Sequence, residues 1–270
     1  MKRINLTVIA DRSCSTARTY LEYLRIAGLM PQHLWLVDFG QRSLRKRLFM
    51  SRFAPAPYLN ESKVYHNLCM NIQCEAGLAP IDYFMPWDGE GYAEKVTRFY
   101  ATDFNDANLQ ARMKHYTNTA FLYTNGGIVP ATILDEKDVR VLHIHPGIVP
   151  ELRGSDCLLW SVKLRNKIGM SCFYMNAGID EGDLIAQHEW EIPKLPSLAE
   201  TLNPRDEDIA YRALLYALDP HYRAQLLVKV IGAAEDMRSM KSTPQPKAAR
   251  PAYLWMHPRL RLKCMRETFL

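Results

Sequence analysis

Residues 141–154 read VLHIHPGIVPELRG, and residues 178–183 read GIDEGD. The first stretch sets a short apolar strand, two histidines two positions apart, two prolines and an Arg-Gly turn ahead of a helical pattern at residues 155–166. Side chains at i and i+2 of a strand share a face, so His143 and His145 are expected to project together while Ile144 turns into the core. Paired imidazoles, with an acidic glycine-bearing loop that can fold back over them, mark a candidate active site. An H-x-H pair with an aspartate is also a metal-ligand pattern, although further protein ligands are not apparent.

Working outward, residues 4–10 alternate apolar and β-branched types and read as an opening strand, followed by the polar loop DRSCS and a helical pattern over 16–27 that stops at Gly28. Residues 33–38, HLWLVD, form the natural next strand. Strand, loop, helix, strand is a βαβ unit. The hydroxyl-rich loop sits at a helix N-terminus, where free N–H groups and the dipole attract anions, which makes Ser13 a candidate substrate contact. Simple N-capping by Ser13 or Ser15 explains the loop equally well. Strands are further expected at 81–85, 119–124, 139–144, 170–175 and 184–192, with helices at 62–75, 103–114 and 155–166 between them. The alternation predicts an α/β fold: a Rossmann-like, mostly parallel sheet with helices on both faces and the site at the carboxyl ends of the strands. The last two strands, close together around GIDEGD, are expected to pair antiparallel at one end.

We expect one α/β catalytic domain over residues 1–200, with 41–79 an insertion that begins basic (RSLRKRLFMSR, 42–52), and a helical C-terminal extension over 201–270. In that extension, helices are expected at 206–218 and from Asp219, as N-cap with Pro220 in the first turn, to about Met237. Residues 242–251, STPQPKAARP, read as a linker before a basic, aromatic tail.

At 270 residues and 48% hydrophobic, the chain can bury a substantial core. No run approaches the roughly 18 apolar residues of a spanning helix, and the six cysteines form no CxxC pair. Reduced buried thiols in a cytoplasmic protein are the expectation. The net charge of +5 is modest and no RNA-binding signature accompanies its basic runs, so nucleic-acid binding is disfavoured.

In residues 143–150 (HIHPGIVP), Arg153-Gly154 and Asp180-Glu181-Gly182, the chain resembles the folate-dependent formyltransferase family, which includes phosphoribosylglycinamide, methionyl-tRNA, sugar-amine and hydroxyornithine formyltransferases. The family pattern is roughly N-x-H-P-S-L-L-P, an R-G turn, and a later D-x-G loop. Residues 122–134, LYTNGGIVPATIL, are similar to the family strand and loop that receive the pterin. The resemblance implies transfer of a formyl group from 10-formyltetrahydrofolate to an amine on a small molecule, with no metal expected. It assigns His145 to electrostatic stabilisation and proton transfer, Asp180 to orienting and charging that imidazole, and Asn125, Gly126, Gly127 and Ile128 to the folate. Arg153 becomes a candidate contact for an anionic group on the acceptor. A carboxylate beside an imidazole is expected to raise its pKa.

One position departs from the pattern: His143 stands where the family has an asparagine oxyanion donor. A neutral imidazole offers one donor where a carboxamide offers two. The expected partners are the amine acceptor and a second copy of the chain in a homodimer, with no membrane. A tRNA acceptor is disfavoured, because methionyl-tRNA formyltransferases carry a β-rich C-terminal domain and the region after residue 193 reads as helical. The alternatives left open are a metal-dependent or folate-directed hydrolase using the H-x-H pair, and a catalytically silent folate-binding protein.

Overall fold

The computed structural model of the chain describes residues 1–11, 14–39, 63–85, 87–124 and 128–270. A seven-stranded sheet runs through it in the order β3-β2-β1-β4-β5-β6-β7. The strands are β1 (Lys2–Ala10), β2 (Leu29–Phe39), β3 (Lys95–Ala101), β4 (Ala120–Tyr123), β5 (Val141–Pro146), β6 (Ile168–Tyr174) and β7 (Leu184–Trp190). The first five pair in parallel. β5–β6 and β6–β7 pair antiparallel, as the closeness of the last two strands suggested. Strand order reverses between β1 and β4, the kind of switch point where α/β sheets open a crevice at their carboxyl ends.

Period-two alternation divides each central strand between two cores. Leu6 and Val8, Leu34 and Leu36, Leu122, and Leu142 with Ile144 bury into one cluster. Ile9, Trp35 with Val37, Phe121 with Tyr123, and Val141 bury into the other. Burial on both faces is why these strands read as near-continuous apolar runs. The first face is covered by α1 (Ser15–Ile26), α2 (Lys63–Glu75), α5 (Cys157–Arg165), α6 (Glu207–Ala217), α7 (Asp219–Ala233) and α8 (Pro258–Phe269). The second carries α3 (Ala107–His115) and the single-turn α4 (Ala131–Leu134). Among the described residues no helix is long and apolar enough to cross a membrane, and all six cysteines are free.

Three local expectations are corrected. Residues 81–85 form no strand, because the buried Gln73 amide takes the backbone of Ile81 for itself: Ile81 N–H donates to Gln73 Oε1 at 2.6 Å, and Gln73 Nε2 donates to the Ile81 carbonyl at 3.0 Å. The third strand is instead Lys95–Ala101, whose sequence KVTRFYA carries charges at an edge position. The cap of α1 is the Cys14 side chain, which accepts from Ala17 N–H, while Ser15 is already helical. Asp219 is the first residue of α7 rather than its cap, and its carboxylate pairs along the helix with Arg223 at 2.6 Å. The basic run at 42–52 lies outside the described residues.

Candidate active site

β5 delivers the two histidines as alternation requires. Ile144 is fully buried in the first core, while His143 and His145 continue the face of Val141 with ring centroids 6.2 Å apart. His145 is buried, and His143 is half-buried between Tyr123 and Phe173, with centroids at 5.4 and 5.6 Å. The turn after β5 is held rigidly. Ser171 Oγ donates to the Gly147 carbonyl at 2.6 Å and accepts from Val149 N–H at 3.1 Å. Gln187 Nε2 donates to the Val149 carbonyl at 2.7 Å. This turn aims the Leu152 carbonyl at His145 Nε2, 3.0 Å away. That bond places the proton of a neutral His145 on Nε2, and the other ring nitrogen, Nδ1, faces Asp180 Oδ1 at 3.5 Å.

Asp180 sits at a left-handed backbone position (φ 54°), which aspartate tolerates better than most residues. Its second oxygen accepts from Gly154 N–H at 2.8 Å, so the Arg-Gly turn and the acidic loop are joined directly. Gly154 itself has φ +100°, and a Cβ there would lie 2.3 Å from the Tyr253 carbonyl oxygen. Backbone cannot yield as a flexible side chain can. Gly154→Ala is therefore expected to lower stability by about 2 kcal/mol or more, read as a drop in the urea midpoint. An unchanged midpoint would mean that the turn can rearrange freely.

Arg153 is buried and engaged inside the protein. It donates to the Ile179 carbonyl at 3.2 Å and the Arg250 carbonyl at 3.3 Å, and it forms an ion pair with Glu181. Ile128 is 83% exposed. Asn125, Gly126, Gly127 and Ser13 lie outside the described residues. A groove of about 610 Å³ runs between β7 and α7 past His188 and Lys229 and does not include the His145–Asp180 pair.

Two sets of groups at this site escaped the sequence reading. Arg223, on α7, donates from Nη1 to the Ile144 carbonyl at 3.2 Å, between the two histidines, while paired with the buried Asp219. Burial opposes its charge, but Asp219 beside it holds the guanidinium above its ordinary value. The i,i+4 spacing of the pair was visible in the sequence; its destination was not. The stretch read as a linker, together with the start of the tail, is the second: Gln245 Nε2 donates to the carbonyls of Asp180 (3.1 Å) and Gly182 (2.7 Å), and Tyr253 N–H donates to the Arg153 carbonyl at 2.6 Å. It is a strap across both site loops.

The expected rise in the His145 pKa is overturned. Burial pushes it below the ordinary value, against the pull of Asp180 and with Arg223 adding to the fall. Burial also pushes His143 down, again with Arg223 adding. Desolvation outweighs one carboxylate at 3.5 Å because both rings lie inside the sheet face.

Residues 92–218 match the family model described as formyl transferase. A methionyl-tRNA formyltransferase of Syntrophus aciditrophicus (strain SB) is 33% identical over 69 residues, 25% of this chain and 22% of the relative. One of Alkaliphilus oremlandii (strain OhILAs) is 24% identical over 153 residues, 56% of this chain and 45% of the relative. The chain thus spans less than half the length of these curated relatives. Among solved structures, a sugar N-formyltransferase from Shewanella sp FDAARGOS_354 aligns over 92% of this chain and 75% of its own, at 12% identity and a TM-score of 0.44.

Proposed function

We propose, from the match of residues 92–218 to the formyl transferase family model, that the chain transfers a formyl group from 10-formyltetrahydrofolate to an amine of a small molecule. The observation that carries this reading is the buried His145, which faces Asp180 at 3.5 Å within the matched segment. Attack on the formyl carbon places negative charge on the formyl oxygen, while the amine must lose a proton and the folate nitrogen must gain one. On this reading His145 relays the proton, and its depressed pKa keeps the ring neutral and ready to accept one near neutral pH. Asp180, fixed by Gly154, stabilises the imidazolium that forms when Nδ1 takes up the proton.

His143 lines the same face and keeps a buried Nδ1 without a hydrogen-bond partner among the described residues, a polar group that a ligand can satisfy. We assign Asn125, Gly126, Gly127 and Ile128 to the folate, and Ser13 to the acceptor. We give Arg153 a holding role beside Asp180 through Glu181. Residues 1–200 would form the catalytic domain, and 201–270 an extension that supplies Arg223 and the strap.

The test is release of tetrahydrofolate from 10-formyltetrahydrofolate, followed with a panel of amino sugars, amino acids and small peptides. Release that depends on one class of amine is expected. No release with any amine, together with no binding of the folate by titration calorimetry, would end the proposal.

A further inference from the structure

We propose that His143, His145 and Asp180 form a three-ligand site for a divalent transition-metal ion of the zinc type. One donor atom from each of the three lies within 4.8 Å of the others. Two nitrogens and one carboxylate oxygen, with positions left open, make a donor set of the kind catalytic zinc uses. The imidazole at 143, where the chain departs from the family pattern, is what completes the set.

The orientation of His145 is the main support. Its Nε2–H is committed to the Leu152 carbonyl at 3.0 Å, which leaves a lone pair on Nδ1 pointing at a carboxylate oxygen 3.5 Å away. Two lone pairs facing each other repel unless a proton or a metal ion lies between them, and the second imidazole at 143, with its own unpartnered Nδ1, is what favours the metal. Two metal–ligand bonds of about 2.1 Å at a tetrahedral angle hold their donors about 3.4 Å apart, close to the observed spacing.

The surrounding bonds match those that orient metal ligands. A ligating histidine commonly donates its other ring N–H to a backbone carbonyl, and ligating carboxylates are themselves hydrogen-bonded. Here the Leu152 carbonyl and Gly154 N–H fill those parts. His143 retains an unpartnered buried Nδ1 among the described residues. Closing the widest donor separation requires its ring to shift by roughly 1 Å to reach bonding distance. Arg223 is the one cation facing the rings from α7, and Asp219 is paired with it, so with Asp180 two carboxylates stand against one guanidinium.

The inference concerns the same residues as the proposed reaction, and a metal on Nδ1 would occupy the nitrogen that relays the proton, so the metal-bound form is expected to be inactive in formyl transfer and the two readings are tested separately. Chelator-stripped protein is titrated with Zn²⁺ against a chromophoric competitor and with Co²⁺ by visible absorption, using wild type, His143→Asn, His143→Ala and Asp180→Asn. Wild type is expected to bind one equivalent, with intense d–d bands for Co²⁺. The variants are expected to bind at least about 100-fold more weakly, since changing a partner of a ligand alone typically costs 10–100-fold. Zn²⁺ should raise the melting midpoint of wild type and not of the variants, which also verifies that each variant is folded. Substoichiometric binding by wild type, or affinity unchanged in folded His143→Asn, overturns the proposal. 10-Formyltetrahydrofolate binding, measured on the same samples, reports on formyl transfer independently.

Discussion

His145→Ala should lower formyl transfer by about a thousandfold or more, within the range lost when a general acid–base group is removed. Folate binding should be largely kept, because the pterin is assigned to residues 125–128 rather than to the ring. Asp180→Ala should fall nearly as far, since without it Nδ1 has no opposing charge when the imidazolium forms. Groups that act as a unit are non-additive, so the double variant should be no worse than the poorer single one. Single-turnover rates with saturating folate measure this. Substantial activity in both single variants would show that the proton travels elsewhere. Additive losses would show that the two residues act separately.

Acid should destabilise the protein well above the pH at which carboxylates titrate. His221, fully buried on α7, is wedged between the Tyr23 hydroxyl at 3.0 Å and the Tyr83 hydroxyl at 2.9 Å. Burial pushes its pKa down to about 3 from the ordinary 6.5. Between those values the unfolded chain binds a proton that the folded chain does not, so stability rises with pH. The contribution is complete above about pH 6.5 and is lost progressively as pH falls toward 3. One such proton amounts to on the order of 3 kcal/mol between pH 6.5 and 4. His143 and His145, also depressed, titrate in the same direction. The measurement is urea unfolding across this pH range for wild type and His221→Gln, whose slope against pH should be shallower by close to one proton. Parallel slopes would mean that His221 is protonated in the folded state or is reached by solvent.

The central strands were legible because β1, β2, β4 and β5 are buried on both faces, which writes continuous apolar runs into the sequence. β3 was not, because an edge strand tolerates Lys95, Thr97 and Arg98. The apolar Ile81 stood in for it, since nothing local reveals that Gln73 will satisfy that backbone. At the site, the shared face of His143 and His145 follows from spacing alone. That the acidic loop can fold back over them was read from the residues, whereas the choice of Asp180 within that loop came through a resemblance of motifs. Arg223 and Gln245 arrive from distant segments, and the downward shift of His145 depends on how deeply the sheet face is covered. Burial of that kind is a property of the assembled fold.

The strap formed by residues 243–256 has a practical corollary. Similarity to the family model ends at residue 218, so an expression fragment cut at that boundary would discard Arg223, Gln245 and Tyr253 together. Its Asp180 loop would lose its brace while every motif residue stayed in place. An inactive fragment of that length would therefore report a missing buttress rather than missing chemistry.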